Sequence, residues 1–294
     1  MNTRLELIAS GYGLVEGPRT ETRPDAGPDA PSMKGALWFT DIRGGTVNRL
    51  NPGGEVETLV KDRPMIGGLA LHADGGLIMS GPTVVHWKDG QVRVLLEQDG
   101  VNSFNDLHTD AQGRVYVGAI RADISDLRAE PDPLGEMYRI ELDGSITELY
   151  GGVGVSNGIG FAPDGRTLYH VDSTSRGLWV HDVDDSGGLS GRRHIGAAAF
   201  ERGIPDGMCV DTEGNLWVAH VGGKRVVKLD PNGEMLDELP VPASWVTSCA
   251  FGGEDCRDLY IVSADNVEDE DLGGCIWVCR PGATGHPTPL ARVQ

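Results

Sequence analysis

Glu16, Asn105, Asn157 and Asp206 each open a short apolar run: Glu16-Gly17-Pro18, Asn105-Asp106-Leu107-His108, Asn157-Gly158-Ile159-Gly160-Phe161 and Asp206-Gly207-Met208-Cys209-Val210. Gly67-Gly68-Leu69-Ala70-Leu71 and Thr247-Ser248-Cys249-Ala250-Phe251 have the same form. One Glu, one Asp and two Asn offer oxygen ligands to a cation. Hard oxygen donors with two carboxylates suit Ca2+ first, then Mg2+ or Mn2+. Zn2+, a borderline metal, also accepts them. Taken alone, Asn157-Gly158 or Asp206-Gly207 is a turn dipeptide. A common register is what would gather these side chains at one place.

A repeat supplies that register. A second apolar segment follows each run: Leu37-Trp38-Phe39-Thr40-Asp41, Leu77-Ile78-Met79-Ser80-Gly81, Val115-Tyr116-Val117-Gly118, Leu168-Tyr169-His170-Val171-Asp172, Leu216-Trp217-Val218-Ala219-His220 and Leu259-Tyr260-Ile261-Val262-Ser263. These segments begin 38 to 53 residues apart. Gly-bearing turns such as Ala162-Pro163-Asp164-Gly165 separate the two segments of a repeat, as antiparallel strands require. Strands repeated at this period without helical segments between them predict an all-β fold: one closed, six-bladed β-propeller over residues 1–294. Residues near Leu5–Ile8 are expected to complete the last blade's sheet and close the ring. Loops 19–35 and 121–135 interrupt the pattern and are candidate lids over the central mouth, or plain surface insertions.

Composition narrows the function. The formal charge is −19, from 25 basic and 44 acidic residues, which argues against nucleic acid or an anionic membrane surface as partner. The first residues lack the apolar run of a signal peptide, and no stretch is long enough to span a bilayer. The five cysteines, Cys209, Cys249, Cys256, Cys275 and Cys279, contain no C-x-x-C; they read as reduced packing residues of a cytoplasmic protein. Whether the chain is a monomer or a homodimer leaves no local signature.

The combination of Glu16-Gly17-Pro18, Ser156-Asn157-Gly158-Ile159, Ala162-Pro163-Asp164-Gly165 with Leu168-Tyr169, and Pro205-Asp206-Gly207-Met208 with Leu216-Trp217-Val218-Ala219 resembles the SMP-30/gluconolactonase/luciferin-regenerating-enzyme family, from about residue 12 to about residue 265. The resemblance implies a six-bladed propeller with one divalent metal at the axial mouth, and hydrolysis of a small lactone or related ester. It implies Glu16, Asn157 and Asp206 as metal ligands and Asn105 as a substrate contact. Sugar-lactonase members carry an Arg two residues before that Asn, where this chain has Ser103. One hydroxyl then replaces a fork of five donors at the substrate-binding position, which points to a less hydroxylated or more apolar substrate. Met65, Phe104 and Trp245 are candidates to line such a pocket, or are core. Asp206 is the candidate general base, His220 a proton shuttle or a structural histidine, and Asp41 and Asp172 candidates to orient neighbouring groups.

Other signals point elsewhere. Gly154-Val155-Ser156-Asn157-Gly158 fits the serine-hydrolase elbow, but a strand and turn follow it where the motif needs a helix. The acidic run Asp265–Asp271 lacks the Gly and ligand spacing of an EF-hand and reads as a solvated loop. Two alternatives to hydrolysis are a metal-dependent lyase or isomerase that stabilises an enolate at the same mouth, and a non-catalytic binding propeller.

Overall fold

Runs such as Val115–Ile120 and Leu216–Val221 are rich in β-branched and aromatic residues and are apolar on both faces, which suits strands covered on both sides. The computed structural model describes residues 3–21, 35–122, 134–269 and 273–294. Among the described residues the strands form six four-stranded sheets. Five take their strands in chain order. The sixth joins Val246–Gly252, Asp258–Ser263 and Gly274–Cys279 to Glu6–Tyr12 from the other end of the chain, with Glu6 opposite Val278 and Leu7 opposite Trp277. That pairing closes the ring as the sequence suggests.

The inner strands are Val15–Thr20, Leu69–Leu71, Ser103–Thr109, Ser156–Phe161, Ile204–Val210 and Val246–Gly252. Each packs on the next around the axis, and Val246–Gly252 returns to Val15–Thr20. Burial falls from inside to outside: Ser156–Phe161 is buried throughout, whereas Leu189–Ile195, the fourth strand of the same blade, is largely exposed. The core therefore lies between blades. Trp217 meets Phe251 edge-on at 5.5 Å, joining blades five and six, and Phe104 meets Tyr138 at 6.2 Å. Phe104 is wholly buried there, in the core.

Close approach of inner strands needs glycine at one recurring place. A Cβ on Gly207 would lie 2.0 Å from Ser248 Oγ in the next blade.

At the end of the channel opposite the acidic residues, the last residues form a strap. Gly285 N–H donates to Cys256 O and His286 N–H to Val210 O, in blades six and five. Ala291 N–H donates to Leu71 O and Arg292 N–H to Gly113 O, in blades two and three. Ala291 and Val293 are buried in the core between those two blades.

Three sequence expectations change here. Arg19 and Thr20 belong to the inner strand Val15–Thr20, and Arg19 is buried, so a loop cannot start at residue 19. Glu21 is pinned as well, accepting from Trp38 Nε1 at 2.6 Å. Gly135 likewise sits in the strand Gly135–Ile140, and Arg121 is held by Glu136 at 2.9 Å. Residues 22–34 and 123–133 of the candidate lids lie outside the described residues. In the acidic run, Asp269 is not a solvated side chain: it accepts from the Ser244 N–H and hydroxyl at 2.5 and 2.6 Å. The five cysteines are free, and no helix among the described residues is long and apolar enough to cross a membrane.

Removing residues 291–294 uncovers the blade surface that Ala291 and Val293 bury and breaks the strap's last backbone bonds. We expect a loss of about 3 kcal/mol or more, read as a fall in the midpoint of denaturant unfolding.

Candidate functional site

Five of the six inner strands are irregular where they approach the mouth; Leu69–Leu71 pairs without a shift. Pairing with the second strand shifts register between Glu16 and Arg19, Phe104 and Leu107, Ser156 and Ile159, Pro205 and Met208, and Val246 and Ser248. A bulge leaves its residues outside the ladder and re-aims their side chains. Those residues include Asn105, Asn157 and Asp206, whereas Glu16 stays paired with Thr40 at the edge of its bulge. The sheet therefore leaves three of the four positions off the ladder and the fourth beside a bulge.

The loops before the strands that carry Glu16, Asn157 and Asp206 are anchored from the end of the second strand. Asp41 accepts from Gly13 N–H and Leu14 N–H, both at 3.0 Å, just ahead of Glu16. Asp172 accepts from Gly154 N–H and Val155 N–H at 3.2 Å, just ahead of Asn157. In the Asp206 blade, His220 Nδ1 lies 3.1 Å from Arg202 O. Asp41 and Asp172 thus orient their neighbours as expected. His220 is fully buried, and burial lowers its pKa to about 4, so it is a neutral structural group.

At the mouth, Asn105 Nδ2 donates to Asn157 Oδ1 at 2.8 Å and to Ser156 O at 2.7 Å. Asn157 Nδ2 donates to Ser173 Oγ at 2.8 Å, which donates to Pro205 O beside Asp206. This chain links blades three, four and five. Gly67 makes room for it, since a Cβ there would lie 1.9 Å from Asn105 Oδ1. Glu16, Asn157 and Asp206 keep only 9, 8 and 8% of their surface free, and Asn105 is half-buried. Ser103 is buried at 3%, opposite Ile120, so its hydroxyl has little surface to offer a ligand. Met65 is exposed and Trp245 half-buried.

The electrostatics of the cluster bring in two residues not singled out by the sequence. Burial, then repulsion from Asp206 and Asp106, pushes Glu16 well above its usual proton affinity; the Gly17 N–H and Arg19 offset this in part. Burial, then Asp106, pushes Asp206 up in the same way. Asp106, on the same inner strand as Asn105, is buried and paired with Arg19 Nη2 at 3.0 Å. Three carboxylates and one guanidinium therefore act on one another in the channel. The one sequence signal for this was Asp106 next to Asn105, which alternation along a regular strand would have pointed away from the axis.

Ser156 also has partners. Its Oγ lies 2.8 Å from His170 Nε2, and His170 Nδ1 lies 2.7 Å from Tyr150 OH. The arrangement mimics a nucleophile and base, but Ser156 is fully buried against Gly118, and burial lowers His170 to about 3. It holds the backbone from which Asn157 projects.

The residues present fit a hard divalent cation. Glu16 and Asp206 are carboxylates that burial and mutual repulsion make costly to ionise without a counter-ion, and Asn105 and Asn157 add amide oxygens. His, Cys, Asp and Glu alone make no three-residue metal cluster among the described residues; the set is a mixed carboxylate and amide one. A cleft of about 820 Å³ lies at the strapped end instead, lined by residues such as His108, Arg114, Asp184 and His286, and none of the mouth acids borders it.

A ring of six blades with acids and amides converging at one end of its axis is an axial-site β-propeller. The chain belongs to the SMP-30/Gluconolactonase/LRE-like family, whose sequence model matches residues 16–265. It is 35% identical to regucalcin of Xenopus laevis over 273 residues, 90% of this chain and 88% of the relative. It is 32% identical to 6-deoxy-6-sulfogluconolactonase of Pseudomonas putida, over 86% of this chain and 90% of that one. Its fold matches a solved luciferin-regenerating enzyme with a TM-score of 0.86 at 22% identity, covering 99% of this chain and 100% of the other.

The raised acids dictate a pH response. Glu16 and Asp206 bind protons more tightly folded than unfolded, so their contribution to stability is complete below the ordinary values of 4.5 and 3.8 and is lost as pH climbs through the raised ones. Metal-stripped protein should therefore lose thermal stability as pH rises above the ordinary carboxylate range. Excess Ca2+ should remove that loss, because it binds the ionised form. Melting curves with chelator and with Ca2+ across this range check it; parallel curves at every pH would contradict it.

Proposed function

We propose that this protein hydrolyses a small lactone or related carboxylic ester at a divalent cation, Ca2+ foremost with Zn2+, Mg2+ or Mn2+ as alternatives, held by Glu16, Asn157 and Asp206. The observation that carries this reading is the meeting of two buried, mutually repelling carboxylates with two linked amides at the open end of the ring. The lactonase named among the relatives supports the reaction class.

When bound, the cation supplies Lewis acidity to a carbonyl oxygen and stabilises the charge that develops there. Asp206 takes the proton of the attacking water. Burial and the nearby Asp106 raise its proton affinity in the metal-free protein, which offsets part of the acidifying pull of a bound cation. Asn105 has free surface, and its N–H groups are already engaged, so Oδ1 remains to accept from a substrate hydroxyl. The Asn105–Asn157–Ser173 chain holds the donors before substrate arrives, which limits reorganisation during the reaction. Ser103, buried where sugar lactonases have a guanidinium, shapes the wall more than it grips the substrate. Exposed Met65 and half-buried Trp245 favour a ring with an apolar substituent. Five free thiols suit a reducing, cytoplasmic setting.

The test is a panel of lactones and esters assayed by proton release before and after chelation. Hydrolysis liberates a proton at neutral pH, whereas isomerisation does not. We expect chelator-sensitive proton release, restored by Ca2+, and a fall in kcat of about 10³-fold or more in Asp206→Asn. Turnover without proton release would favour enolate chemistry at the same mouth. Cation binding with no turnover on any substrate would favour a binding propeller.

A further inference from the structure

Arg19 is an unusual residue for the inside of a propeller channel. It is 6% exposed, and its guanidinium is pinned: Nη1 donates to Pro18 O at 2.8 Å, and Nη2 to Leu107 O at 2.7 Å and to Asp106 Oδ1 at 3.0 Å. Its Nε is buried without a partner. A pair of apolar or neutral residues would fill the same space without the desolvation cost of two ions. Packing therefore does not account for the charge. Its surroundings do: Arg19 acts attractively on Glu16, while Asp206 and Asp106 repel it.

We propose that Arg19 sets the valence preference of the mouth site, as the counter-cation that brings three buried carboxylates to a net charge of minus two. The proposal rests on Glu16, Asn157 and Asp206 forming a cation site, and adds to that reading why the site matches a divalent ion. With Arg19 and Asp106 both in place, a divalent ion neutralises the cluster. Without Arg19 one negative charge is left over, and a trivalent ion becomes the better match. Without Asp106 the site carries a single negative charge, and higher valence gains less. Arg19 touches no reacting atom in this scheme. It is a positioning and charge-setting residue acting through Asp106 and the channel field.

The experiment compares Ca2+ with Tb3+, a hard trivalent ion detected by its luminescence, on the intact protein. Dissociation constants come from titration calorimetry for Ca2+ and from luminescence competition for Tb3+, so no readout depends on turnover. Arg19→Met should shift the preference toward Tb3+ by about tenfold, the scale expected for one unit charge acting through an effective dielectric of about 20. Asp106→Asn should shift it the opposite way by a similar factor. Arg19→Met with Asp106→Asn restores the local charge and should return the preference to within about threefold of the parent. If Arg19→Met alone does not fold, Asp106→Asn and the double variant carry the comparison, through the shift and its reversal. Preferences that stay within about threefold in both single variants, or a double variant that behaves like either single one, would overturn the proposal. If the parent protein binds neither ion, the cation site itself falls, which is a separate result from a site that binds both ions without regard to Arg19.

Discussion

Bringing Glu16, Asp206 and Asp106 together out of water is the constraint that the rest of the structure answers to. Each carboxylate loses hydration, and each repels the others through a medium of low polarisability. Left to itself, such a cluster would spread apart. Ring closure through Glu6–Tyr12, the strap across the far end, and the close inner-strand contact at Gly207 all oppose that spreading. Arg19 removes part of the repulsion from within. A cation at the mouth, as proposed, would remove the remainder, and binding and the stability of the ring would then belong to one equilibrium.

Support for the mouth residues is repeated but not identical. Asp41 and Asp172 use carboxylates to collect backbone N–H groups, whereas His220 meets a backbone carbonyl from the same place in its blade. Asp269 anchors the Ser244 backbone ahead of blade six from a loop, not from a strand end. Ser156, His170 and Tyr150 hold the peptide from which Asn157 projects. Each device fixes backbone, and the side chain at the mouth follows from the backbone. A site built this way keeps its donors in place when they carry like charge, which is the condition for strong electrostatic action on a developing oxyanion.

Much of this was legible beforehand. Six strand pairs, their turns and the role of residues near Leu5–Ile8 follow from alternation and spacing, because a propeller blade is a local repeat whose register is set by short turns. The positions Glu16, Asn105, Asn157 and Asp206 follow from the same register. Arg19 did not. It looked like the start of a Pro- and Asp-rich loop, and only its burial against Asp106, 87 residues away in sequence, shows it as part of the channel. Phe104, beside Asn105, read as pocket wall or core, and the bulge that re-aims Asn105 leaves Phe104 in the core against Tyr138.

The sequence by itself determined the blade count, the order of the strands, and which polar residues stand at the head of each inner strand. Those properties depend on local patterning, and local patterning survives without knowledge of what lies across the ring. The tertiary structure decided the charge of the site, the tethering of the mouth amides to one another, and which neighbours face the axis. These depend on bulges and on contacts between blades, such as Asn105 with Asn157 or Arg19 with Asp106, whose partners have no relation along the chain until the ring closes.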